Sequence, residues 1–323
     1  MTVLAYAVVA AAVIFFAVRC AHYVDLLEEM TPLSGAFIGG VILAAVTSLP
    51  ELFTSLSATL FLSKPELVLG NILGSDLFNL AVLAVLVLCF LRRFASAPVD
   101  RSHRSATLYA LICYLLLTVT VLSGWEMAIS TVSVPSLFLA LFYGLSIRRM
   151  SGGEKAGAPK AKASRLPLGA VVLRFSAAAA GLVLASIAIT FITDRLAGEF
   201  GLGATFAGAL FLGVATSLPE VSSTAALFRS GNINAAVGNI TGSNIFNFFI
   251  LFLADLSYLR GSIYVRDQQT GSLLLFGAAA ELLTLFLVVP KGRAERAGTA
   301  RYAAVSVGIA VCYLAFLLTP AGS

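Results

Sequence analysis

The chain has 323 residues, 59% of them hydrophobic and only 11% charged, and its mean hydropathy is +0.97. That is too little charge to cover a water-soluble domain of this length, and it points to a surface that mostly faces lipid. The net charge of +5 comes without a basic stripe interleaved with aromatics, which excludes a nucleic-acid partner.

A spanning helix needs about 20 mostly apolar residues, and the chain offers ten such stretches in order. The first, residues 3–20, has no basic stretch before it and no small-residue cleavage site after it, so it reads as a spanning helix and not a signal peptide. The second, 33–62, is long and interrupted by polar residues and proline. Residues 66–91, 105–124 and 127–147 follow. A basic, polar, small-residue segment at 148–166 then reads as a solvated linker. Beyond it come 167–193, a second interrupted stretch at 203–228, and 233–258, 270–290 and 301–318. Cys20, Cys89, Cys113 and Cys312 lie in or beside apolar stretches without metal-type spacing and are expected to be free thiols. His22 and His103 fall in loops, and Arg174 is expected to snorkel to the surface.

Lys and Arg placement sets the expected orientation. Sixteen of the 21 fall in the odd-numbered loops and four in the even-numbered ones, which puts the odd loops, including 148–166, in the cytoplasm and both termini outside. Five spans per half is an odd number, so the halves insert in opposite senses. The expected fold is an all-α polytopic membrane protein of ten transmembrane helices. They form two inverted five-helix repeats, 1–147 and 167–323, with helices 2 and 7 broken.

The sequence repeats itself in matching places. Residues 47–51 and 216–220 both read Thr-Ser-Leu-Pro-Glu. Residues 70–79, Gly-Asn-Ile-Leu-Gly-Ser-Asp-Leu-Phe-Asn, match residues 238–247, Gly-Asn-Ile-Thr-Gly-Ser-Asn-Ile-Phe-Asn, at seven of ten positions. Polar, proline-broken helices in an inverted repeat mark the substrate site of a secondary transporter. Pro50 and Pro219 cannot donate to the carbonyls four residues back, and strain at the break turns carbonyls such as those of Thr47 and Thr216 inward. Beside each break sits an acid, Glu51 or Glu220, costing at least a few kcal/mol in a membrane unless a cation compensates it. Carboxylate and carbonyl oxygens suit Ca²⁺ and Na⁺. Ser75 and Asn79 share one helix face, as do Ser243 and Asn247, and add neutral oxygens. Gly70, Gly74, Gly238 and Gly242 allow close helix approach. Asp76 is either a helix–helix hydrogen-bonding group or a titratable partner of the site. Glu281, without a counterpart, is expected to serve a local structural role.

These blocks resemble the two alpha-repeats of the cation/calcium exchanger superfamily, above all its compact prokaryotic sodium/calcium exchangers. The resemblance implies that Glu51 and Glu220 are shared bridging carboxylates and that the carbonyls of Thr47 and Thr216 complete a calcium site. It assigns Ser48, Ser217, Ser75 and Ser243 to sodium and places Asn79 and Asn247 in the middle. Three positions depart from the family pattern: Asn247 stands where many members have Asp, Asp76 where Asn is usual, and Val46 where Gly is common. The expected activity is exchange of Ca²⁺ for Na⁺ by alternating access in the cell (inner) membrane. Ca²⁺ and Na⁺ enter as substrates and no cofactor is expected. The alternatives are a proton-coupled exchanger on the same fold and a cation channel. An enzyme is not expected, since no nucleophile elbow, phosphate loop or His-rich metal motif occurs.

Overall fold

The computed structural model describes residues 1–30, 43–124, 127–129, 131–151, 167–288 and 299–320. The expected linker beyond Ser151 and the start of the second apolar stretch, 33–42, lie outside them. The chain is mostly helical, as its long apolar runs require where no water is at hand to satisfy backbone groups.

The first half begins with α1, Thr2–Met30, followed by the short α2, Leu43–Thr47, and α3, Leu49–Ser57, which ends in a π-turn over Ala58–Leu62. Then come α4 (Pro65–Cys89), the short α5 (Leu91–Ser96), α6 (Arg101–Ser123) and α7 (Val134–Ser151). The second half runs α8 (Leu168–Phe200), α9 (Ala204–Ala207), a π-turn over Gly208–Leu212, α10 (Gly213–Thr216), α11 (Leu218–Ser230), α12 (Ile233–Ser257), α13 (Gln268–Leu287) and α14 (Thr299–Leu317). Local chemistry sets several boundaries. Pro50, Pro65 and Pro219 sit in the first turn of α3, α4 and α11, where a missing N–H costs nothing. Asp100, Asn232 and Asp267 cap α6, α12 and α13 with their side-chain oxygens.

Among the described residues, seven helices are long and apolar enough to cross a membrane, or eight if the bent pair Ala204–Thr216 and Leu218–Ser230 counts as one span. Ten stretches were expected. The first broken stretch is not among the seven: of its described part, 43–62, the helix after the break, Leu49–Leu62, is too short. The 18-residue α7, whose last turn carries Arg148 and Arg149, is likewise not among the seven. His22 and His103, expected in loops, are both helical. His103 is buried in the first turn of α6 with Nε2 3.0 Å from Asn234 Oδ1. The four cysteines are free thiols and Arg174 is exposed.

Apolar burial divides into two clusters. The larger joins α4, α6, α12, α13 and α14 and includes Leu73, Leu80, Tyr114, Phe248 and Ile309. The smaller joins α1 to α8 through Val13, Ala17, Leu182 and Ile189, and reaches the broken segments at Val46, Leu212 and Ala215. A two-residue hairpin, β1 (Ala128–Ile129) and β2 (Val132–Ser133), lies between α6 and α7. It is pinned to the end of α12, where Asp255 accepts from the Ser133 N–H at 2.7 Å and from the Ser136 hydroxyl at 2.7 Å.

Backbone meets backbone where α4 crosses the second broken segment. A Cβ on Gly70 would sit 2.1 Å from the Thr205 carbonyl oxygen, and one on Gly74 2.4 Å from Ala209 Cα. From the other side, a Cβ on Gly208 would meet the Leu67 carbonyl oxygen at 2.7 Å. Only glycine permits this seam.

Candidate cation site

Both copies of Thr-Ser-Leu-Pro-Glu break their helix at the serine. Ser48, with φ −89° and ψ 12°, separates α2 from α3, and Ser217, with φ −84° and ψ 0°, separates α10 from α11. The second break bends the segment by 47°. Neither proline can donate backwards, so the incoming helix stops and a new one starts with proline near its N-terminus. Each glutamate thereby stands in the first turn of a new helix, where the backbone dipole favours an anion.

The two acids are fully buried, and each is held by the other half of the chain. The Ser217 hydroxyl donates to Glu51 Oε1 at 3.0 Å, and the Ser48 hydroxyl donates to Glu220 Oε1 at 3.0 Å. The second oxygen of each, Oε2, is buried without a hydrogen-bond partner. Thr216 stands beside the Glu51 carboxyl, and Thr47 and Ser243 beside that of Glu220. An acceptor-only oxygen buried alone costs several kcal/mol, and a cation is the partner that suits it.

The remaining expected residues are equally buried but are oriented differently. The Ser75 hydroxyl donates to the Gly213 carbonyl at 3.2 Å, across the glycine seam. Asn79 Nδ2 donates to Asn244 Oδ1 at 3.1 Å, and Asn247 Nδ2 donates to Asp76 Oδ1 at 2.8 Å. The two amides therefore bond to the opposite half instead of pointing their N–H groups at the glutamates, while their own Oδ1 atoms stay buried and unpartnered.

Two residues not singled out in the sequence tie down the helices that start after the breaks. Asn71 Nδ2 donates to the Glu51 carbonyl, the Thr54 hydroxyl and the Ser55 hydroxyl at 3.2, 2.9 and 3.0 Å. Asn239 repeats this on the second copy, reaching the Ser223 and Thr224 hydroxyls at 2.9 Å each and the Glu220 carbonyl at 3.5 Å. The signal was available, since both asparagines follow the first glycine of the duplicated block. Glu281, too, has a partner that the sequence did not reveal: its Oε1 accepts from Asn244 Nδ2 at 3.4 Å.

The arrangement gathers two carboxylates and several hydroxyl and amide oxygens in a dry place. Among the described residues no three His, Cys, Asp or Glu side chains converge as a group that could hold a metal ion. A cation here would be held largely by neutral oxygens, as hard ions such as Na⁺ and Ca²⁺ accept.

The model of the sodium/calcium exchanger protein family matches residues 2–150 and 170–319. The chain belongs to this family. It is 29% identical to the inner membrane protein YrbG of Escherichia coli (strain K12) over 269 residues, covering 80% of this chain and 81% of that one. It is 26% identical to the putative antiporter CaxA of Alkalimonas amylolytica over 270 residues, covering 81% and 82%. Its fold is similar to that of the H⁺/Ca²⁺ exchanger CAX, with a TM-score of 0.77 at 14% identity, over 99% of this chain and 82% of the other. It also resembles the sodium–calcium exchanger NCX_Mj, with a TM-score of 0.62 at 16% identity, over 99% and 100%. This exchanger is thus a multi-pass membrane protein of a family of transporters, a cation/Ca²⁺ antiporter.

Proposed function

We infer that the chain exchanges Ca²⁺ for Na⁺, with Glu51 and Glu220 as carboxylates that both ions use in turn. The observation that carries this reading is the reciprocal pair of hydrogen bonds from Ser217 to Glu51 and from Ser48 to Glu220, each leaving one carboxylate oxygen buried and unpartnered. Ca²⁺ would be held by both carboxylates together with the carbonyls of Thr47 and Thr216. Na⁺ would use the same carboxylates with the hydroxyls of Ser48, Ser217, Ser75 and Ser243, and Asn79 and Asn247 would bound the space between. Occupancy by one ion then displaces the other.

The inverted repeat supplies the alternating access. The two halves insert in opposite senses, with ten spans, both termini outside and residues 148–166 in the cytoplasm of a cell bounded by its inner membrane. The moving part is the α1–α8 pair, because its apolar cluster is separate from the main one and rests on the broken segments.

A proton-coupled exchange is the second reading. It is favoured by Asn247, whose amide leaves the central site with two carboxylates, so that two protons balance one Ca²⁺ as well as two Na⁺ do. Uptake of ⁴⁵Ca²⁺ into proteoliposomes separates the readings. Under the first, an outward sodium gradient drives uptake and a pH gradient without sodium does not. The opposite outcome selects proton coupling, and ungated flux without either gradient selects a channel.

A further inference from the structure

Three buried acids lie outside the Thr-Ser-Leu-Pro-Glu motifs among the described residues: Asp76, Asp255 and Glu281. Asp255 accepts hydrogen bonds on both oxygens from Ser133 and Ser136 and is a structural anchor. Asp76 and Glu281 are different. Asp76 Oδ2 and Glu281 Oε2 are buried with no partner, although Oδ1 accepts from Asn247 and Oε1 from Asn244.

The repeat makes this pair conspicuous. Across the 168-residue offset of the duplicated blocks, Asp76 corresponds to Asn244 and Glu281 to Cys113. Each half thus carries one acid that its counterpart lacks, and the fold brings the two into electrostatic reach of each other. Asn244 ties them, its Nδ2 donating to the Asp76 carbonyl at 3.2 Å and to Glu281 Oε1 at 3.4 Å. A third group converges independently. The Tyr114 hydroxyl is fully buried, unpartnered and in electrostatic reach of both acids. It is seated there by Gly277, one turn before Glu281, where a Cβ would stand 2.6 Å from the hydroxyl oxygen.

We propose that Asp76, Glu281 and the Tyr114 hydroxyl form a second cation site, adjacent to the Glu51–Glu220 site, that holds one Na⁺. The ion's identity rests on the exchange reading above; the cluster itself does not. A monovalent ion fits better than Ca²⁺ for two reasons. Ca²⁺ takes six to eight oxygens, and the three groups of the cluster offer three unpartnered ones, Asp76 Oδ2, Glu281 Oε2 and the Tyr114 hydroxyl. Each carboxylate is also partly satisfied by an amide N–H, which lowers the charge left for an ion. Such a site adds a sodium ion that Ca²⁺ does not compete for.

The test is binding of ²²Na⁺ and ⁴⁵Ca²⁺ to the purified full chain in detergent, read by scintillation proximity. The double variant Asp76→Asn/Glu281→Gln should bind one Na⁺ fewer per protein than wild type while still binding ⁴⁵Ca²⁺, which also certifies its fold. Glu51→Gln/Glu220→Gln should lose ⁴⁵Ca²⁺ and retain one Na⁺. Tyr114→Phe removes only the hydroxyl and should weaken the affinity of one Na⁺; it carries the test should the first double variant fail to fold. An undiminished Na⁺ count in Asp76→Asn/Glu281→Gln, an unchanged isotherm in Tyr114→Phe, or no ²²Na⁺ bound to wild type overturns the second site. Surviving ⁴⁵Ca²⁺ binding in Glu51→Gln/Glu220→Gln overturns the exchange reading instead, and the second site is then judged by its own Na⁺ count.

Discussion

Asn247→Asp would set two acids against each other. In the native chain Asn247 Nδ2 donates to Asp76 Oδ1 at 2.8 Å, fully buried. The substitution removes a hydrogen bond to a charged acceptor, worth about 1.5–3 kcal/mol. It also brings a second carboxylate to the first. At about 4 Å and an effective dielectric near 20 the gross repulsion is roughly 4 kcal/mol, most of which is relieved if the pair shares one proton. The net cost is about 3 kcal/mol. Asp76→Asn alone leaves two amides that still bond, and costs about 1 kcal/mol. The double variant Asp76→Asn/Asn247→Asp rebuilds the bond with donor and acceptor exchanged, so the two changes should couple favourably by about 2 kcal/mol. Thermal unfolding of the purified protein reads this directly. At about 2–4 °C per kcal/mol for a large chain, Asn247→Asp should lower Tm by roughly 6–12 °C and the double variant should regain about a third of that, where additive costs would lower it further. Strictly additive Tm shifts across the three variants would mean that Asn247 does not bond Asp76.

Glu51→Gln and Glu220→Gln should each cut ⁴⁵Ca²⁺ flux by more than about 100-fold, since losing one partner of a buried charge pair costs about 3–5 kcal/mol; flux near that of wild type in either would refute the shared carboxylates. Gly74→Ala places its methyl 2.4 Å from Ala209 Cα and should destabilise by about 1–3 kcal/mol with loss of transport. Gly144→Ala meets nothing within 4 Å and should be neutral or stabilising by up to about 1 kcal/mol; equal Tm values for these two would contradict the seam. In a chain freed of native cysteines, Gly157→Cys should react with an impermeant maleimide only from the cytoplasm and Ala321→Cys only from outside. Labelling of position 157 from outside would reverse the orientation.

Much of the site was legible because it is written twice. A broken helix needs a proline at a fixed distance from its acid, and two copies of Thr-Ser-Leu-Pro-Glu announce both breaks without any knowledge of packing. What escaped the sequence was every relation that crosses from one half to the other. That Ser48 serves Glu220 while Ser217 serves Glu51 depends on how the broken ends meet, and spacing along the chain carries no trace of it. Asn79 and Asn247 were expected to line the middle of the site, and spacing gave no sign that their amide N–H groups turn to Asn244 and Asp76. Glu281 had no counterpart in the first half, so the repeat could not point to it. His103 was lost for another reason: polar neighbours at a helix start look like a loop until Asn234 is found beside them.

The exchanged serines carry a consequence for the molecule as a whole. Cutting the peptide between Ser151 and Pro167 would remove none of the hydrogen bonds to either glutamate carboxylate, whereas pulling the halves apart would remove the serine donor from both. Neither half owns a finished ion-binding surface: each brings an acid whose serine donor comes from its twin. The site is therefore also an adhesive, and two separately made halves should find each other through the same contacts that grip the cargo.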